Sequence, residues 1–182
     1  EQVLHPEKYL DARDQPTTVK LGDLGSVLGA DWSPLLTNVW GELNLEVMFK
    51  EFFPSSKTSS VTNGWDGDQF RVYERAKDGA LMAAWFTVWD SEKDAEQFTT
   101  AYKKLLAKKY GLEAPAEKQD RYQWKRDAGE VVLERRGAEV LVLEDVPGDL
   151  CAKAEDALWA GTERMVLPRV ERVARPTEGA GG

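Results

Sequence analysis

His5 is the only histidine of the 182-residue chain and Cys151 its only cysteine. A protein zinc site needs three or four His, Cys, Asp or Glu ligands in a compact arrangement. One imidazole and one thiol at opposite ends of the sequence supply no such motif, so the residues predict neither zinc nor any other cofactor held by this chain. A nucleophilic triad has equally little to build on. His5 lies beside Pro6, and no serine stands in a Gly-x-Ser-x-Gly elbow. Asp66 and Asp68, separated by Gly67, have the spacing that opens a calcium loop, but the position that requires glycine holds Arg71. The two carboxylates are therefore expected to cap a tight turn, with a calcium site of another kind as the alternative.

The aromatic residues offer a different chemistry. The seven tryptophans include Trp65, Trp85 and Trp89. Trp85 and Trp89 share a strand face with Thr87, and such indoles either pack beneath a helix or line a groove for a sugar or peptide. Cys151 has no partner for an internal disulfide and reads as a buried, inert thiol in an amphipathic helix. Gly22, Gly25 and Gly29 lack the surrounding strand, Lys-Ser/Thr ending and acidic follow-up of a phosphate-binding loop.

Positioning these residues requires a folded domain, and the composition permits one. Hydrophobic residues make up 42% and charged residues 31% of the chain, as in ordinary globular proteins. The formal charge of −8 opposes contact with nucleic acid or anionic lipid over most of the surface. Two basic runs depart from it locally. Lys103, Lys104, Lys108 and Lys109 read as a solvated helix face, and Arg164, Arg169, Arg172 and Arg175 as a tail. No apolar run reaches the roughly 18 residues of a membrane span.

Hydrophobic periodicity supplies the elements. Leu21, Leu24, Val27 and Leu28 suggest a short helix. Residues 41–53 form a second, apolar around most of its circumference and ended by Pro54, which is expected to be central to the core. Phe70 and Val72 alternate with Arg71 and Tyr73 as in a half-buried strand. Residues 81–89 are apolar at nearly every position, which predicts a central strand covered on both faces. Ser91 with Asp94 begins a helix whose apolar stripe runs to Tyr110, where Gly111 suits a left-handed cap. Three further strands, over 121–126, 130–135 and 139–144, precede a last helix to about Trp159. The expectation is an α+β fold: an antiparallel sheet of about five strands in the order ββαβββα, helices mainly on one face, and a short helical N-terminal segment before it. Residues 1–63 are taken as connector and helical segment, 64–162 as the sheet domain and 163–182 as a tail.

Four stretches of this sequence resemble a known family. Glu1 to Leu10, Trp40-Gly41-Glu42-Leu43, Gly64-Trp65-Asp66-Gly67-Asp68 and Trp89-Asp90-Ser91 are similar, in order, to the C-terminal half of a family of secreted bacterial and archaeal zinc-metallopeptidase-like proteins. The family's His-Glu-x-x-His helix belongs to an upstream half that this sequence does not contain. The resemblance implies a secreted or cell-surface location and a non-catalytic C-terminal portion, acting as scaffold or substrate-side wall for the zinc-binding half. It also gives His5 and Tyr9 a possible role, donating to a developing oxyanion in a cleft shared with that half. The bland reading of His5 is a side chain hydrogen-bonded to neighbouring backbone. The alternative function is a self-contained extracellular binding or self-assembly module, so the partners expected are the upstream half or another copy of the chain.

Overall fold

The computed structural model describes residue 6, residues 15–54 and residues 58–166. Its centre is a seven-stranded sheet made of β2 (Trp32–Asn38), β3 (Trp65–Arg75), β4 (Leu81–Trp89), β5 (Ala116–Lys118), β6 (Arg121–Lys125), β7 (Glu130–Arg136) and β8 (Glu139–Val146). The strand order is β2-β3-β4-β8-β7-β6-β5, and each neighbouring pair is antiparallel. A separate ribbon pairs β1 (Thr18–Lys20) with β9 (Glu163–Met165), so the stretch expected to be a tail begins with a paired strand.

The strands expected from sequence are β3, β4, β6, β7 and β8. The count of about five falls short because β2 and β5 add one edge strand on each side and the β1-β9 ribbon lies apart.

The second correction concerns the layers. Trp85 and Trp89 on β4, Val131 and Leu133 on β7, and Val140 and Val142 on β8 pack with Leu45, Phe49, Phe98, Tyr102 and Leu105. These partners come from α2 (Gly41–Phe52) and α4 (Glu92–Tyr110). The intervening residues Ala84, Phe86, Val132, Leu141 and Leu143 point the other way and join a second cluster. There they meet Leu28 of α1 (Gly25–Leu28) and Ala154 and Leu158 of α5 (Cys151–Gly161). Helices therefore cover both faces rather than mainly one. Strand alternation requires it: a strand apolar at consecutive positions needs cover on each side.

Local sequence fixes α4 at both ends. Ser91 is extended, its Oγ accepts the Asp94 backbone N–H, and Gly111 closes the helix in the left-handed region at φ 63°. The short α3 (Ser59–Thr62) leads into Gly64, and the backbone N–H of Asp90 donates to the Gly64 carbonyl at 2.7 Å.

Candidate functional site

Of the residues singled out by sequence, His5 and Tyr9 lie outside the described residues. Trp65, Trp85 and Trp89 do not form an exposed platform: each is at most 7% exposed. Trp89 stacks on Phe98 at 4.7 Å, and Trp85 meets Phe98 and Tyr102 edge-on at 5.6 and 5.5 Å. Burying such large rings between the sheet and α4 contributes more apolar area than any other residue type could. Two of the indole N–H groups find partners inside: Trp89 donates to Thr87 Oγ1 at 2.8 Å and Trp85 to Asp68 Oδ2 at 2.7 Å.

Asp66 and Asp68 serve different neighbours. Asp66 accepts the backbone N–H and hydroxyl of Thr17 at 3.0 and 2.6 Å. Asp68 is buried at the start of α2, where it accepts the backbone N–H groups of Trp40 at 2.9 Å and Gly41 at 3.2 Å. A carboxylate from a distant strand thus takes the capping role that no residue of α2 itself fills. Burial raises its pKa, while the bonds from Trp85, Trp40 and Gly41 pull in the opposite direction. The expectation that the two aspartates cap one tight turn gives way to two separate long-range ties. No group of three or more metal-ligating side chains occurs among the described residues.

Two further carboxylate networks hold the helices on the sheet. Beneath α4, Glu144 accepts the Tyr102 hydroxyl at 2.7 Å and the Lys109 ammonium at 2.6 Å, and also the Tyr110 hydroxyl. Burial, then the adjacent Glu144 charge, pushes both phenols up, so they remain donors. On the opposite face Arg121 grips Glu155 with two bonds of 2.6 and 2.8 Å, and Trp159 donates to Glu134 at 2.6 Å. Glu134 and Glu155 hydrogen-bond each other. Burial, opposed by Arg121 and reinforced by Glu134, raises Glu155, whereas hydrogen bonds from Glu155, Arg136 and Trp159 outweigh burial and lower Glu134. The cations Arg121 and Arg136 allow the two carboxyl groups to sit together beneath α5. Nearby, burial and Glu130 push the Cys151 thiol up to about 12, which leaves it protonated and unreactive at neutral pH.

The surface that remains unexplained lies elsewhere. Leu35, Leu36, Val39, Leu43 and Val47 are between 47% and 59% exposed, on β2, the turn after it and α2. Leu36 pairs with Val72, which places it on the sheet face of Phe70, the face that α2 covers. A groove of about 510 Å³ runs between this edge and α2, with Val39, Trp40, Val47, Met48, Phe52 and Phe70 in its walls. The helix is central to the core through Leu45 and Phe49 but turns Leu43 and Val47 to solvent. Its apolar circumference was the sequence signal for this site: a helix with one neighbouring sheet cannot bury every face.

The two sheet edges contrast. β5 has three residues, including Glu117 and Lys118, and that brevity and charge protect it from further pairing. β2 has seven, Trp-Ser-Pro-Leu-Leu-Thr-Asn, with no charge among them. Its protection is confined to Pro34 and the register break between Pro34 and Leu36.

No helix among the described residues is long and apolar enough to cross a membrane. No curated protein matches the chain, and no solved structure does. A family model described as a domain of unknown function, DUF8575, matches residues 34–155, from within β2 to within α5, and the chain belongs to that family.

Proposed function

We propose that this chain is a non-catalytic interaction domain that meets another polypeptide through the β2 edge and the outward face of α2. The observation that carries the reading is a set of five exposed aliphatic side chains, Leu35 and Leu36 on the uncharged edge strand β2, Val39 just after it, and Leu43 and Val47 on α2. Single exposed apolar residues are ordinary, but several on neighbouring elements beside an open strand edge are the feature used in strand addition and in obligate packing. The buried ionisable groups also support it. The Glu144 and Glu134-Glu155 clusters spend their hydrogen-bonding capacity on holding helices rather than on an open cleft.

The metallopeptidase resemblance offers a more specific version, in which the other polypeptide is a zinc-binding upstream half of a secreted protein. Its motifs take structural roles here: Trp40-Gly41 and Asp68 start α2, and Asp90-Ser91 starts α4.

The test is photo-crosslinking from a reactive residue placed at position 36 or 47, with position 118 on β5 as control. The reading expects crosslinks to a polypeptide, including another copy of the chain, from the first two positions and few from the third. Equal yields from all three would sink it.

A further inference from the structure

We infer that the polypeptide received at this surface is a second copy of the chain, paired β2 against β2 about a two-fold axis; the inference rests on reading the β2-α2 surface as an interface.

Charge favours the copy. At −8, two molecules repel one another through most of their surfaces. Residues 32–41 carry no charge at all, so this strip is a route by which like can approach like. Two charges beside it are already neutralised within the molecule, Arg75 by Asp78 at 2.8 Å and Lys50 by Glu46 at 2.6 Å. Beside the strip, Arg71, which donates to Thr37 Oγ1 at 3.1 Å, and Glu51, in the groove wall, are of opposite sign, so a second copy presents the complement of each.

The edges decide the symmetry. Head-to-tail pairing would set β2 against β5, a three-residue strand bearing Glu117 and Lys118, and would leave the aliphatic face of α2 uncovered. Pairing β2 with its own copy covers both patches and closes the assembly, which head-to-tail contacts need not do. Pro34 has no backbone N–H, and the register breaks after it, so the new ladder is confined to residues 35–38. Leu36 then lies near the axis, with Leu43 and Val47 flanking it on the face of α2.

Size predicts strength. The five side chains expose on the order of 400 Å² per molecule, so the two-fold contact falls below the roughly 1,200 Å² total at which stable interfaces begin. A dimer dissociating in the micromolar range or weaker is the expected result.

Sedimentation of the full chain between about 1 µM and 1 mM reads this directly. The expected species has 20.4 kDa at the dilute end and twice that mass at the concentrated end. Leu36→Lys and Leu36→Glu each place like charges across the axis and should weaken association on the order of a hundredfold, whereas their mixture should restore it. Circular dichroism and Tm of both variants should match the parent, because Leu36 is half exposed. A monomer at every concentration, or a dimer indifferent to both variants, overturns the inference, and a mixture that fails to associate overturns the two-fold. If the chain stays monomeric while position 36 still crosslinks to a different polypeptide, the second copy is wrong and the interface stands. If neither occurs, both fail.

Discussion

Trp85 donates its indole N–H to Asp68 Oδ2 at 2.7 Å, joining the centre of the sheet to a carboxylate that also receives the first backbone N–H groups of α2. This contact orients α2, and through it the exposed aliphatic face that we assign to an interface.

Each neighbour of Asp68 is a donor, so Asp68→Asn should set an amide N–H against another N–H. The expected loss is about 1–3 kcal/mol at neutral pH, read by denaturant unfolding. Burial holds the carboxyl above its ordinary range, so ionisation costs the fold. That contribution is complete below the ordinary aspartate pKa and is lost as pH rises through the raised value. The asparagine variant should lack this part of the pH slope. A variant as stable as the parent would remove Asp68 from its capping role.

Gly67 is set by space. A Cβ there would overlap the Thr17 carbonyl oxygen, whose neighbouring N–H and hydroxyl bind Asp66. Gly67→Ala should cost about 1–3 kcal/mol or more by forcing the two segments apart. Gly111→Ala has open space around it but a φ of 63°, so its cost should stay near the 1–2 kcal/mol of left-handed strain. Thermal unfolding of the two variants, with exchange of the amides near Thr17, separates steric from conformational cost. Retained protection near Thr17 in Gly67→Ala would count against the close approach.

Arg121→Met should leave Glu155 beside Glu134 without its cation. At neutral pH the expected cost is about 1–3 kcal/mol, moderated by partial solvent access. Glu155 is already raised by burial, opposed by Arg121 and reinforced by Glu134, and removing Arg121 raises it further. The folded variant therefore gains relative stability as pH falls through that value and the carboxyl takes up a proton. Unfolding at pH 7.5 and 4.5 measures the difference; an equal penalty at both would contradict the role of Arg121 in countering the rise of Glu155.

The legible parts of the fold were those with local signals. Alternation marked β3, uninterrupted apolar sequence marked β4, and Ser91, Asp94 and Gly111 bounded α4. The apolar run of β4 already demanded cover on both faces, and α1 and α5 provide it, yet element order alone suggested a single helical layer. β2 carries no such signal, because Pro34 interrupts it and its side chains have no buried face to impose alternation. β5, β1 and β9 have three residues each, too few for a pattern, and β1 with β9 form only through a pairing across nearly the whole chain. At the site level, the indoles of Trp65, Trp85 and Trp89 serve the core, Asp66 ties down Thr17, and Asp68 starts α2. Leu43 and Val47 lie in a helix that is apolar around most of its circumference, and such a pattern does not separate buried from exposed positions.

Amide hydrogen exchange over residues 35–38, measured at about 1 µM and about 1 mM, tests the central claim most directly. Amides of this stretch not bonded to β3 should be slowed at the higher concentration, as the β2-β2 ladder forms, while those of β5 should exchange at one rate throughout. Exchange in residues 35–38 that is independent of concentration would contradict the account.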